Sequence, residues 1–149
     1  MGMDWGAMDL SAIADRRLLR GIEYWRGKAA DRAMPDRRDL NPAEIPDLLA
    51  WTILWDVVPG GYSVRLAGTG ICDAMGRELR GLDFDTVHGS ATAAIKPDFD
   101  YVVRETKPHY AERALYWSHP SYRLYRRVLL PFTNGGQDCA LLMGLASFS

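Results

Sequence analysis

Apolar residues near the start of the chain recur as Leu10, Ile13, Ala14, Leu18, Gly21, Ile22 and Trp25, at offsets of 0, 3, 4, 8, 11, 12 and 15. That spacing draws a single stripe along a helix. Asp15, Arg16, Arg20, Glu23 and Arg26 fall on the other side. The pattern predicts an amphipathic helix from Asp9, capped by Asp9 or Ser11 and stopped between Gly27 and Pro35. Residues 1–8 precede it as a tail. In the connector that follows, Asn41 suits a cap, Pro42 a first helical position and Glu44 a capping box. Pro46 breaks the pattern, which predicts two short turns ending near Ala50.

From Trp51 the period changes to two. Trp51, Ile53, Trp55 and Val57 alternate with Thr52, Leu54 and Asp56, and Pro59-Gly60-Gly61 is a turn. Tyr62, Val64 and Leu66 then share a face, with Arg65 opposite, so 51–67 reads as an antiparallel hairpin. Gly68-Thr69-Gly70 ends it. Thr69 is placed to cap a turn Gly70–Met75, with Gly76 as a left-handed stop, and a second turn Arg77–Arg80 closes at Gly81. After a loop over 82–89, Ala91, Ile95, Phe99 and Val102 mark a helix over 90–106, disturbed at Pro97.

Three strands complete the chain: 109–117, 122–132 and 138–148, with a hairpin loop over 133–137. The last is apolar almost without interruption from Cys139 to Leu145, so it needs cover on both faces. The middle helices supply one cover and the N-terminal helix the other. The expected fold is α+β, a five-stranded antiparallel sheet with helices on one face and the amphipathic helix on the other. Residues 9–50 form a cap and connector, and 51–149 form the core of a single domain.

Composition narrows the function. The 149 residues carry 48% hydrophobic and 25% charged side chains, as an ordinary globular domain does. A net charge of −1 gives no basis for nucleic-acid binding. The arginine pairs Arg16-Arg17, Arg37-Arg38 and Arg126-Arg127 have acids close by. No apolar run reaches the roughly 20 residues of a membrane span, and no secretory signal opens the chain, so cytoplasm is expected. Cys72 and Cys139 stand far apart and are expected to be reduced.

Little in the sequence marks a reaction centre. G-x-S-x-G and Walker patterns are absent, and Gly68-Thr69-Gly70 reads as a strand-to-helix turn. His88, His109 and His119 give no support for haem, and no metal-ligand spacing is present. Arg65 requires either a local acid such as Asp56 or an acidic ligand group. Phe99, Tyr101, Tyr110, Tyr116 and Trp117 serve either as core or as walls of a small-molecule cavity.

The order of motifs resembles a PAS domain, in particular small stand-alone bacterial PAS-like proteins. The likeness rests on Leu18-x6-Trp25, Pro35-x-Arg37-x-x-Leu40-x-Pro42, Ile45-Pro46-x-Leu48-Leu49, Tyr62-x-x-Arg65-Leu66-x-Gly68-Thr69, Gly76-x5-Leu82 and Leu129-Leu130-Pro131-Phe132. It implies a non-catalytic sensory or adaptor module that meets an unidentified signalling protein. It also implies a homodimer through the leading helix, with Leu10, Ile13, Leu18, Ile22 and Trp25 as the candidate interface. A small organic ligand would lie between sheet and long helix, drawing on Arg65, His88, Phe99, Val102, Tyr110 and Trp117. No cofactor is expected. The flavin signature of photosensory relatives is missing, since Cys72 precedes Asp73-Ala74. Two alternatives stay open: a scaffold with a filled core, and a cone-shaped α+β isomerase or hydrolase-like enzyme using His88 or Asp98 as base.

Overall fold

The computed structural model of the chain describes residues 13–149. Five strands, β1 (Thr52–Val58), β2 (Gly61–Ala67), β3 (His109–Ala114), β4 (Leu124–Phe132) and β5 (Leu141–Phe148), form one antiparallel sheet of order β2-β1-β5-β4-β3. The helices are α1 (Arg16–Ala29), α2 (Thr69–Met75), α3 (Phe84–His88) and α4 (Thr92–Glu105). The expected α+β architecture is present. As the apolar run anticipates, β5 is central, and Leu141 to Ala146 are all buried.

Register assigns side chains to the two faces, because residues opposite one another in an antiparallel pair point the same way. On the outer face, Leu54, Met143 and Leu130 lie in one row, and Thr52, Leu145 and Val128 in the next. Helix α1 packs here against β4 and β5. Leu18, Ile22 and Trp25 are 0%, 1% and 2% exposed, each burial worth about 1.5–3 kcal/mol. Gly21 permits the close approach: a Cβ there would lie 2.3 Å from Leu145 Cδ2. On the inner face, Trp55 pairs with Leu142, Leu129 with Gly144 and Arg127 with Ala146. This face is covered by α2–α4.

Several boundaries depart from the sequence reading. Helix α1 begins at Arg16, where the Asp15 carboxylate accepts the Leu18 N–H at 3.1 Å and satisfies an orphan donor. Asp9, Ser11 and Leu10 lie outside the described residues. The helix ends at Ala29, between Gly27 and Pro35 as expected. In the connector, Asn41 caps the Pro42–Glu44 turn as expected, but Glu44 binds the Tyr24 hydroxyl (2.8 Å) and Lys28 (2.9 Å) and forms no capping box. Asp36 anchors the connector to the far hairpin, accepting from Thr133 Oγ1 at 2.8 Å and the Gly135 N–H at 2.7 Å. Backbone donors at Arg38 and Gly135 hold its carboxyl far below the usual carboxylate range.

The sharpest correction concerns β2. Leu54 opposes Leu66 while Trp55 opposes Val64, so Arg65 is the extra residue of a β-bulge. One inserted residue reverses the alternation. Tyr62 and Val64 face inward, but Leu66 turns outward and is 51% exposed. The segment 82–89 also holds a short helix, α3, capped by Asp83 accepting the Thr86 N–H at 2.8 Å. Helix α2 begins one residue early, at Thr69, and ends at Gly76 (φ 79°) as expected; the expected second turn over 77–80 is mostly irregular chain that turns only at Arg80 and Gly81.

Candidate functional site

Between the inner face and its helices lies a cavity of about 70 Å³, partly open to solvent. Its walls are apolar and aromatic: Ile53 and Trp55 from β1, Ile71 and Met75 from α2, Val87 from α3, Ile95 and Phe99 from α4. The β3–β4 loop closes it with Tyr116 and Trp117, and Trp117 Nε1 donates to the Ala74 carbonyl at 2.8 Å, fastening that loop to α2. Tyr125, Arg127 and Leu129 of β4 complete the wall together with β5 residues, among them Ala146 and Phe148.

His88 is a buried polar group set among these rings. Helix α3 turns Phe84, Val87 and His88 inward, and Gly89 at φ 52° ends it there. The imidazole stacks on Trp55 at 5.5 Å and 16°, and lies 4.1 Å from the Phe84 ring. Its Nδ1 sits 3.2 Å from the Phe84 carbonyl, an acceptor, so Nδ1 carries the proton. Nε2 is then an acceptor with no hydrogen-bond partner among the described residues. Burial, aided by the nearby Arg127 charge, pushes its pKa down to about 4.

This shift sets a pH dependence. Unfolded histidine takes its proton near pH 6.5, whereas the folded ring resists until about pH 4. The unfolded state binds more protons in that window, so stability falls as pH is lowered through it. The total loss expected from His88 is roughly 3 kcal/mol. His109, also lowered by burial, adds a slope of the same sign. Denaturant titrations between pH 7 and pH 4 should show the decline, and His88→Gln should flatten most of it; an unchanged slope in that variant would contradict the buried neutral ring.

Behind the cavity lies a charged cluster. Asp98 of α4 receives Nη2 of both Arg127 and Arg113 on the same oxygen, each at 2.5 Å. His109 Nε2 is 3.7 Å from the other oxygen, and Arg127 Nη1 is 3.4 Å from His109 Nδ1. The Arg127 side chain is 8% exposed and that of Arg113 30%. Both guanidiniums thus engage the one carboxylate of Asp98.

Of the residues proposed from sequence, His88, Phe99 and Trp117 meet at the cavity. Arg65 does not: it lies on the face opposite the inward-facing Tyr62 and Val64, bound to Asp56 at 2.8 Å. Val102, 0% exposed, is core and lines no part of the cavity. Tyr110 opposes Val128 and therefore faces outward. Leu18, Ile22 and Trp25 are occupied by the chain's own sheet, and Ile13, 4% exposed, is likewise buried, so these four offer little to a second copy. Cys72 sits on α2, its Sγ 3.6 Å from Glu78, and does not line the cavity. Trp55, Tyr125 and Arg127 were missed; their inward phase within β1 and β4 was the signal available.

No group of three metal-ligating side chains occurs among the described residues. A 70 Å³ cavity is also far too small for a porphyrin without rearrangement.

Comparison with known proteins agrees with this geometry. The sequence model described as the PAS domain matches residues 14–147. No curated protein matches the chain. A domain of a Haloarcula marismortui histidine kinase, titled as light and redox sensing, is similar at 14% identity and TM-score 0.51, covering 71% of this chain and 96% of that one. A fungal LOV domain photoreceptor is similar at 16% identity and TM-score 0.55, covering 97% of this chain and 100% of that one. At these identities the likeness is one of fold. With the family match running over nearly all its length, and with a sheet and helices in the matching arrangement, this chain belongs to the PAS domain family.

Proposed function

We propose that this chain is a non-catalytic sensory module of bacterial signalling, cytoplasmic and homodimeric, that reads a small molecule in the cavity beneath α3 and α4. The observation that carries the reading is the cavity itself, walled mostly by apolar and aromatic side chains with His88, Tyr116, Tyr125 and Arg127 among its polar-bearing residues. Membership of the PAS family supports a sensory role, and the two similar structures are named for sensing. Among the described residues no helix is long and apolar enough to cross a membrane.

Native mass spectrometry of gently purified protein tests both halves of this reading. The expected spectrum is a dimer with a fraction of subunits carrying a small-molecule adduct that denaturation removes. A bare monomer at micromolar concentration would overturn it.

One observation favours a scaffold reading in addition. Large exposed hydrophobics among the described residues are Leu49, Val58 and Leu66. Leu49 and Leu66 flank an outer-face groove with Leu40, Pro42 and Leu54, and Arg37, Arg65 and Arg80 stand at one end of it. Such a surface suits a partner segment that combines apolar side chains with carboxylates.

A further inference from the structure

The cavity has a charge bias that the sensory reading leaves unused. Arg127 carries five N–H donors. The structure pairs two of them, one with Asp98 and one with His109 Nδ1. Its Nε has no hydrogen-bond partner among the described residues, and Arg127 lines the cavity. The one carboxylate of this cluster, Asp98, is shared with Arg113, whose own Nε is buried without a partner. Two guanidiniums therefore share one carboxylate, and Arg127, the more deeply buried of the two, sits where unpaired charge costs several kcal/mol. The acid nearest by sequence, Asp100, is engaged elsewhere, with Tyr62 and Lys96.

Resting on the cavity reading, we propose that the ligand is a small organic monocarboxylate whose carboxylate is received by Arg127 and whose short apolar tail lies among Trp55, Ile95 and Phe99. An anion there supplies the acceptors Arg127 lacks and balances the second guanidinium. Aliphatic and aromatic walls reject water and favour the tail. Size sets the class further. A single water needs about 10–15 Å³ of such volume, so 70 Å³ holds about five or six non-hydrogen atoms. Dicarboxylates are excluded because Arg127 is the only Arg or Lys in the lining of the cavity among the described residues.

The test is an NMR titration of the full chain at neutral pH with isobutyrate and, separately, its neutral isostere isobutyramide, following the indole N–H signals and the methyl groups of Ile53, Ile71 and Ile95. The expected result is saturable shifts at Ile53 and Ile95 with isobutyrate binding at least tenfold tighter than the amide. Equal binding of the two would overturn the anion assignment while leaving a ligand cavity standing. No shift from either compound would overturn the cavity reading as well. In Arg127→Met, isobutyrate should lose at least tenfold in affinity with the amide unchanged; retained preference for the acid would overturn the role of Arg127. The acid-versus-amide comparison uses the native chain and does not depend on the variant folding.

Discussion

Replacing Asp98 with asparagine should lower stability by about 3–5 kcal/mol, measured as a shift of the denaturant midpoint at unchanged slope. The substitution keeps the shape of the side chain and removes only its charge. Arg127 would then remain in the core, its side chain 8% exposed, with no anion to offset the water it has lost. Arg113, 30% exposed, can turn toward solvent and suffers less. The double variant Asp98→Asn/Arg127→Met should recover part of the loss, since removing both charges is cheaper than stranding one. A single variant within 1 kcal/mol of the native chain would mean that Arg127 is hydrated and the cluster carries no burial cost.

Trp25→Ala should be of similar size, about 3–5 kcal/mol, or a fall of roughly 10 °C in melting temperature. Trp25 is 2% exposed and is one of the α1 side chains buried at the contact with the sheet. Its Nε1 also donates to the Pro131 carbonyl at 2.7 Å. Pro131 lies beyond the end of the β3–β4 pairing, which stops at Leu129, so its missing N–H disturbs no bond of that ladder. Truncation therefore opens a cavity and leaves a buried carbonyl unpaired. Scanning calorimetry measures the shift. A change under about 1 kcal/mol would show that α1 is a detachable appendage and not a part of the core.

How much of this was legible beforehand follows from which signals are local. The α1 stripe and the apolar run of β5 each repeat over many residues, and together they predicted a central strand covered on both faces. Gly76 and Asn41 are single-residue signals that worked, because a left-handed stop and a cap are decided by the residue itself. The bulge at Arg65 was not legible. Nothing in Tyr62–Ala67 distinguishes a regular strand from one with an inserted residue, and that single residue moved Leu66 to solvent. Helix α3 spans five residues, too few for periodicity to register, and its cap Asp83 is one acid among many.

The site was half visible for the same reason. His88, Phe99 and Trp117 are conspicuous residue types near the predicted long helix. Arg127 looked like half of a surface pair, because Arg126 beside it does point outward, opposite Glu112 and bound to it at 2.9 Å. Alternation along β4 sends one member of the pair to water and the other into the core. Only the pairing of β4 with β3 and β5 reveals which.

A crystal structure of the purified, unmodified protein at high resolution tests the central claim most directly. The account predicts density for a bound molecule bounded by Trp55, His88, Phe99 and Trp117, with the His88 ring still stacked on Trp55. Side chains such as Met75 and Tyr116 folded inward to fill that volume would contradict it, and would leave the chain an interaction scaffold without a chamber.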